Sequence, residues 1–284
     1  MKGKELKIKM YSEKEHNIFW CGGMDSTYLV CKRVIIEKKP IQTYYLNFPC
    51  DGYYPPYPLG RDSREVEVKV MDKLREMIIK QFPYTKSLFP RTILVDEFPI
   101  NKEVYKKLRF LHENYQYRYR PRSQELYMIQ YSLDENKIFE YSLEDGMSLG
   151  VDVGYLPTAK LLKENFTEDF TISTEKILEL EVFKNIYFPI FETWRKDMVE
   201  ESRKYDFTNI LENTWSCRWP KPNGDICSGV VDYDDENIDC SHFLYVEFDK
   251  QPQSEIEDGF VRYYKDNEYE IIKRKINYLD ILND

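Results

Sequence analysis

The chain has 284 residues, 42% of them hydrophobic and 32% charged, a globular composition with room for a sizeable core and not that of a disordered segment. No stretch of about 18 apolar residues occurs, so no membrane span is expected. The net charge of −9 argues against a protein that coats nucleic acid through bulk electrostatics, and a nucleic-acid partner is not expected. The opening MKGKELKIKMYSEKEH lacks the apolar centre of a secretory signal. The six cysteines, spread from Cys21 to Cys240, are therefore expected as reduced thiols in the cytoplasm.

Taken in chain order, residues 17–21 (NIFWC) read as a short buried strand and Ser26 to Glu37 as the helix after it. A second strand is predicted at 41–48 (IQTYYLNF), rich in aromatic and β-branched side chains. A Pro/Tyr-rich loop follows at 50–60. Then Val66, Val70, Leu74, Met77, Ile78 and Phe82 recur at helical spacing. Residues 91–98 predict a third strand, Ser123 to Glu144 a long helix behind Pro121, and 147–151 a fourth strand. A fifth strand is expected at 184–190 and a charged helix from Glu192 to Tyr205. Strands alternating with helices predict an α/β fold: a Rossmann-like parallel sheet with helices on both faces, over residues 1–205. From 206 to 284 the pattern changes to a small appendage, with Trp, Pro, Cys, Gly and Asp crowded at 214–240 and strand-like stretches at 243–248 and 260–264.

The stretch FWCGGMDSTYLV carries the clearest chemistry. Only 11 glycines occur in the chain, yet Gly22 and Gly23 stand side by side where strand one gives way to a helix. Backbone N–H groups around such a turn, with the positive end of the helix dipole, form an anion site suited to phosphate. Glycine lets a phosphate oxygen approach the main chain. Asp25, Ser26 and Thr27 then fall in the first helical turn, where hydroxyls can donate to phosphate and a carboxylate can hold Mg²⁺. Read locally, the same residues also fit a plain strand–turn–helix connection with Asp25 or Ser26 as N-cap.

Cys21-Gly22-Gly23-Met24-Asp25-Ser26 resembles the Ser-Gly-Gly-x-Asp-Ser pyrophosphate loop (PP-loop) of the ATP pyrophosphatase superfamily. Further segments resemble 7-cyano-7-deazaguanine synthases in the same order: RDSREVEVKVMDKL at 61–74, RPRSQELYMIQYSL at 120–133, SLGVDVGY at 148–155 and TWSC at 214–217. The resemblance implies the PP-loop fold and ATP as cosubstrate with Mg²⁺. It places the phosphates on Cys21 to Thr27, the base beside Leu46, Asn47 and Phe48, and Gly150 at a strand end of the nucleotide site. Asp25, Ser26 and Arg122 take the catalytic roles, with Arg120 and Lys196 as further candidate cations. The implied reaction is ligase-like. A carboxylate of a 7-deazaguanine-type small molecule is adenylated, ammonia makes the amide, and a second activation gives the nitrile. A homodimer is also an open expectation.

The sequence departs from that family at Cys21, where the family has serine, at Ser123, where it has asparagine, and in the tail. The family's Cys-Gly-x-Cys-x-x-Cys is absent after Cys227. Cys217, Cys227, Cys240 and His242 form an alternative soft-ligand set for Zn²⁺. The alternative is a tail held by Trp215 and Trp219 without metal. His16 and His112 read as ordinary lone histidines. YQYRYRPR at 115–122 can stack bases, or can face the ATP site as the loop leading into a helix. The acid run DYDDENID at 232–239 lacks the glycine and terminal glutamate of a calcium loop and reads as solvated loop. Two other functions stay open: an RNA-modifying PP-loop enzyme, and a degenerate nucleotide-binding interaction module.

Overall fold

The computed structural model describes residues 16–47, 64–95, 101–115, 124–143, 156–193, 195–214, 230–233, 236–239, 256–257, 260–265 and 268–272. Five strands, β1 (His16–Phe19), β2 (Ile41–Leu46), β3 (Ile93–Val95), β4 (Phe139–Glu140) and β5 (Ile186–Tyr187), form one sheet in the order β3-β2-β1-β4-β5. Every pairing is parallel, and Ile18 sits between Thr43 and Glu140. The predicted α/β class with a Rossmann-like parallel sheet is therefore met.

Alternation along the strands sends side chains into two separate cores. On one face Ile18, Trp20, Ile41 and Tyr45 pack under α1 (Met24–Cys31), α2 (Arg64–Gln81), α6 (Arg195–Lys204) and α7 (Thr208–Glu212). On the other, Phe19, Tyr44, Leu46 and Phe139 meet α3 (Lys102–Tyr115), α4 (Gln124–Asp134), α5 (Leu156–Lys163) and a 3₁₀ turn at Leu178–Phe183. Phe19 stacks on Phe139 with ring centres 4.5 Å apart, which stiffens the junction of β1 and β4. Phe207, Ile210 and Leu211 are fully buried in the first core, so α7 closes it beyond residue 205.

One predicted element is corrected. The helix expected over Ser123 to Glu144 stops at Asp134. Asn136 takes a left-handed φ of 48°. The amides of Asn136 and Lys137 turn back to the carbonyls of Leu133 and Ser132 at 3.1 and 3.3 Å. That is a helix stop of the Schellman kind, which asparagine tolerates. The chain then enters the sheet as β4 at Phe139–Glu140; the strand predicted at 147–151 lies outside the described residues.

Helix α1 also ends differently from a plain helix. It runs on into one wide π-helical turn, Lys32–Ile36, closed by Glu37 N–H on the Lys32 carbonyl at 2.9 Å. Such wide turns re-aim side chains. Here Arg33 enters the core.

In the C-terminal region two antiparallel units are described. β6 (Val230–Tyr233) pairs with β7 (Glu236–Asp239), and β8 (Ile256–Glu257), β9 (Phe260–Lys265) and β10 (Glu268–Ile272) follow the order β10-β9-β8. The acid run at 232–239 is thus mostly hairpin and not open loop. The stretch expected as strand at 243–248 lies outside the described residues. Among the described residues, no helix is long and apolar enough to cross a membrane.

Candidate functional site

Strands β2 and β3 lie on one side of β1, and β4 and β5 on the other. The order of the sheet therefore reverses between β1 and β4. In open α/β sheets that reversal leaves a crevice at the C-terminal strand ends, where ligands bind. The loop after β1, Trp20 to Gly23, sits at this position.

The loop is built by a few specific contacts. Trp20 N–H continues the ladder onto the Tyr44 carbonyl at 2.9 Å. Its indole Nε1 donates to Thr27 Oγ1 at 3.0 Å, tying the loop to the helix it precedes. Gly22 has a φ of +75°, the left-handed region that favours glycine. Gly23 (φ −72°, ψ 164°) is the N-cap of α1 and offers no side-chain cap. Its carbonyl accepts Thr27 N–H at 2.9 Å, so the amides of Met24, Asp25 and Ser26 have no intrahelical acceptor. Neither Asp25 nor Ser26 serves as the N-cap. The start of α1 is left to backbone donors, the arrangement that accommodates an anion.

The predicted loop residues divide by role. Met24 and Thr27 are buried in the core; Thr27 Oγ1 accepts the Trp20 indole, its N–H is taken by the Gly23 carbonyl, and it is burial that keeps its hydroxyl from the loop surface. Ser26 Oγ donates to the Gly23 carbonyl at 3.2 Å and lies 3.7 Å from Cys21 Sγ. Asp25 is half-buried in the first turn, an oxygen donor beside the loop that fits a hard cation such as Mg²⁺. Leu46 is buried at the end of β2, and Asn47 N–H bonds the Val95 carbonyl at 2.8 Å. Phe48, Arg120, Arg122, Gly150, Cys217, Cys227, Cys240 and His242 lie outside the described residues.

Lys196 falls in the first turn of α6. That helix lies along α1: Tyr28 donates to Glu201, and Lys32 stands 3.9 Å from the same carboxylate. Burial, then Glu201, pushes the Tyr28 phenol well above its ordinary range. Tyr28 thus clamps the two helices together. Both helices follow C-terminal ends of parallel strands, so both begin at the same end of the sheet as the glycine loop.

Two groups of side chains were not anticipated from sequence. Beneath the loop, Tyr45 OH donates to buried Glu67 at 2.7 Å. At the opposite end of β1, His16 Nδ1 donates to Glu140 Oε1 at 2.5 Å, Arg33 Nε donates to Glu140 Oε2 at 2.9 Å, and Arg33 also pairs with Glu37. His16 is accordingly no ordinary lone histidine but part of a buried ionic cluster. Only the four-residue spacing of Arg33 and Glu37 hinted at it in sequence. Among the described residues, no group of three His, Cys, Asp or Glu is placed to hold a metal ion. No protein-family model matches the chain, and no curated protein matches it.

Proposed function

We propose that the protein is an ATP-dependent enzyme of the PP-loop kind, resembling 7-cyano-7-deazaguanine synthase, that activates a carboxylate or amide by adenylation. The reading is carried by one observation: a left-handed Gly22 and an uncapped Gly23 open α1 at the reversal point of a parallel sheet. The order of the resembling segments supports it. In this reading the substrate carboxylate attacks the α-phosphorus, the bond to the bridging oxygen breaks, and pyrophosphate leaves with the electron pair. The amides of the loop and first turn carry the charge gained by that leaving group. Asp25 would hold Mg²⁺, which when bound would neutralise phosphate charge. Arg122 steadies the phosphates or the substrate carboxylate. Ammonia then displaces AMP from the acyl-adenylate to give the amide.

The deciding experiment incubates the protein with ATP, Mg²⁺, an ammonium salt and a 7-deazaguanine carboxylate. AMP and pyrophosphate are expected in equal amounts, one of each per amide and two of each per nitrile. ADP, or no turnover and no nucleotide binding, would refute the reading. Cys21 in place of serine favours one second reading, a nucleotide-binding module without catalysis, since a thiol is the weaker donor. ATP binding without AMP formation would select it. Asp25→Ala and Ser26→Ala are each expected to weaken ATP binding or turnover by about tenfold, as for loss of a charge-assisted contact, with little change in melting temperature. Unchanged nucleotide affinity in both would end the assignment.

The tail carries a separate expectation. If Cys217, Cys227, Cys240 and His242 hold zinc, metal analysis will find about one zinc per chain, and a chelator will loosen 206–242 first. Zinc-free protein that resists protease over that segment would mean that Trp215 and Trp219 hold it instead.

A further inference from the structure

We infer that Tyr45 and Glu67 are positioning residues for the glycine loop. They hold α2 against Gly22 and so fix the direction of the loop amides. The inference rests on the phosphate-loop reading and adds two residues that do not belong to the loop.

Gly22 backs directly onto α2. A Cβ there would lie 3.3 Å from Val70 Cγ1, 3.4 Å from Met71 Cγ and 3.7 Å from the Glu67 carbonyl oxygen. The wall behind the loop is thus the N-terminal half of α2. Contact with Gly22 limits how closely α2 can approach but cannot keep the helix from moving away. The Tyr45–Glu67 bond can, because it crosses from β2 to the same turn of α2 whose carbonyl faces Gly22. Both side chains are buried, Tyr45 at 7% and Glu67 at 2% exposure. A carboxyl group that deep needs its hydrogen bonds. Moving α2 away would strip one of them. Moving it closer would press Val70 and Met71 into the Gly22 backbone. The bond therefore fixes the spacing between helix and loop, and with it the left-handed turn. Tyr45 also neighbours Leu46 and Asn47 at the end of β2, so the strand end that the resemblance assigns to the base and the loop assigned to the phosphates share one brace.

Pyrophosphate alone is the probe. Wild type, Tyr45→Phe, Glu67→Gln, Gly22→Ala and the double variant Gly22→Ala/Tyr45→Phe are compared by calorimetric titration. Amide hydrogen exchange of residues 20–27 is read without ligand. Tyr45→Phe keeps the ring and loses the donor. It is expected to weaken pyrophosphate by about tenfold and to speed exchange in the loop, with other core segments unchanged. Glu67→Gln retains an acceptor oxygen and should keep most of the affinity. The double variant should bind no more weakly than Gly22→Ala alone, because both changes act through one geometry. Additive losses, or wild-type exchange and affinity in Tyr45→Phe, would overturn the inference. If wild type itself fails to bind pyrophosphate, the phosphate-loop reading falls separately. Loop exchange then decides the brace by itself: faster exchange in Tyr45→Phe upholds it, and unchanged exchange overturns it.

Discussion

Gly22→Ala is expected to weaken pyrophosphate and ATP binding on the order of a hundredfold, the equivalent of two lost charge-assisted hydrogen bonds. The backbone at Gly22 stands at φ +75°, where a side chain costs about 1–2 kcal/mol. The added methyl would also meet Val70 Cγ1 at 3.3 Å, tighter than an ordinary van der Waals contact. Two responses are open to the chain. It can keep the left-handed turn and lose about 1–2 kcal/mol of stability, or rotate Gly22 out of that region. Rotation relieves the strain but turns the adjoining amides away from the mouth of the crevice. Rotation is the expected response, because the contact with Val70 adds to the strain, and binding should then fall by more than folding stability does. Urea titration and calorimetry on the same preparations separate the two effects. Wild-type affinity in the alanine variant would refute the hundredfold loss; with stability also unchanged, it would show that the loop conformation is irrelevant to anion binding.

The glycine loop was legible because its signal is local. An apolar strand, two glycines and a helical repeat follow one another within about a dozen residues, and the described residues keep that order. The parallel sheet was legible for the same reason, through alternation of short apolar runs with helical periodicity. Strand β4 was not. Phe139 and Glu140 make a two-residue strand whose identity comes from register with Asn17 and Ile18, more than a hundred positions earlier in the chain. Locally those residues continue the apolar pattern of α4, and only Asn136 marks the stop. Reading Asn136 as a left-handed helix cap would have found the break. Thr27 gives a second lesson. Its hydroxyl suited a phosphate donor by type, but it is buried, its oxygen accepting the indole of Trp20, a contact that no spacing rule predicts. The Tyr45–Glu67 pair escaped notice because a glutamate between Val66 and Val68 on a helical stretch looks like a solvent-facing residue. Burial by β2 is what gives it a role.

The largest stability effect is expected at the far end of β1, from Glu140→Ala. Glu140 is 2% exposed and takes hydrogen bonds from His16 Nδ1 and Arg33 Nε, themselves buried. Removing it takes from the buried guanidinium of Arg33 one of its two carboxylate partners and leaves Glu37 and the Tyr187 hydroxyl to answer it. Breaking a buried pair from one side costs about 3–5 kcal/mol. The exposed pair of Arg109 and Glu113 supplies the control, where Glu113→Ala should change little. Arg33→Leu tests the same cluster from the cationic side and adds a pH signature. Burial alone would raise the Glu37 carboxyl, yet the Arg33 guanidinium, with help from Lys39, outweighs it and holds the group below its ordinary 4.5. A depressed carboxyl stabilises the fold fully above its unfolded value. That share is lost as the pH falls through the lower folded value. In wild type the unfolding free energy should therefore decline from about pH 5 downward. Without Arg33 the Glu37 part of that decline disappears, so the gap between wild type and Arg33→Leu narrows in acid. Urea unfolding at a series of pH values measures both. A gap below about 1 kcal/mol, or one that stays constant with pH, would mean that apolar burial holds α1 on the sheet and the ionic cluster does not.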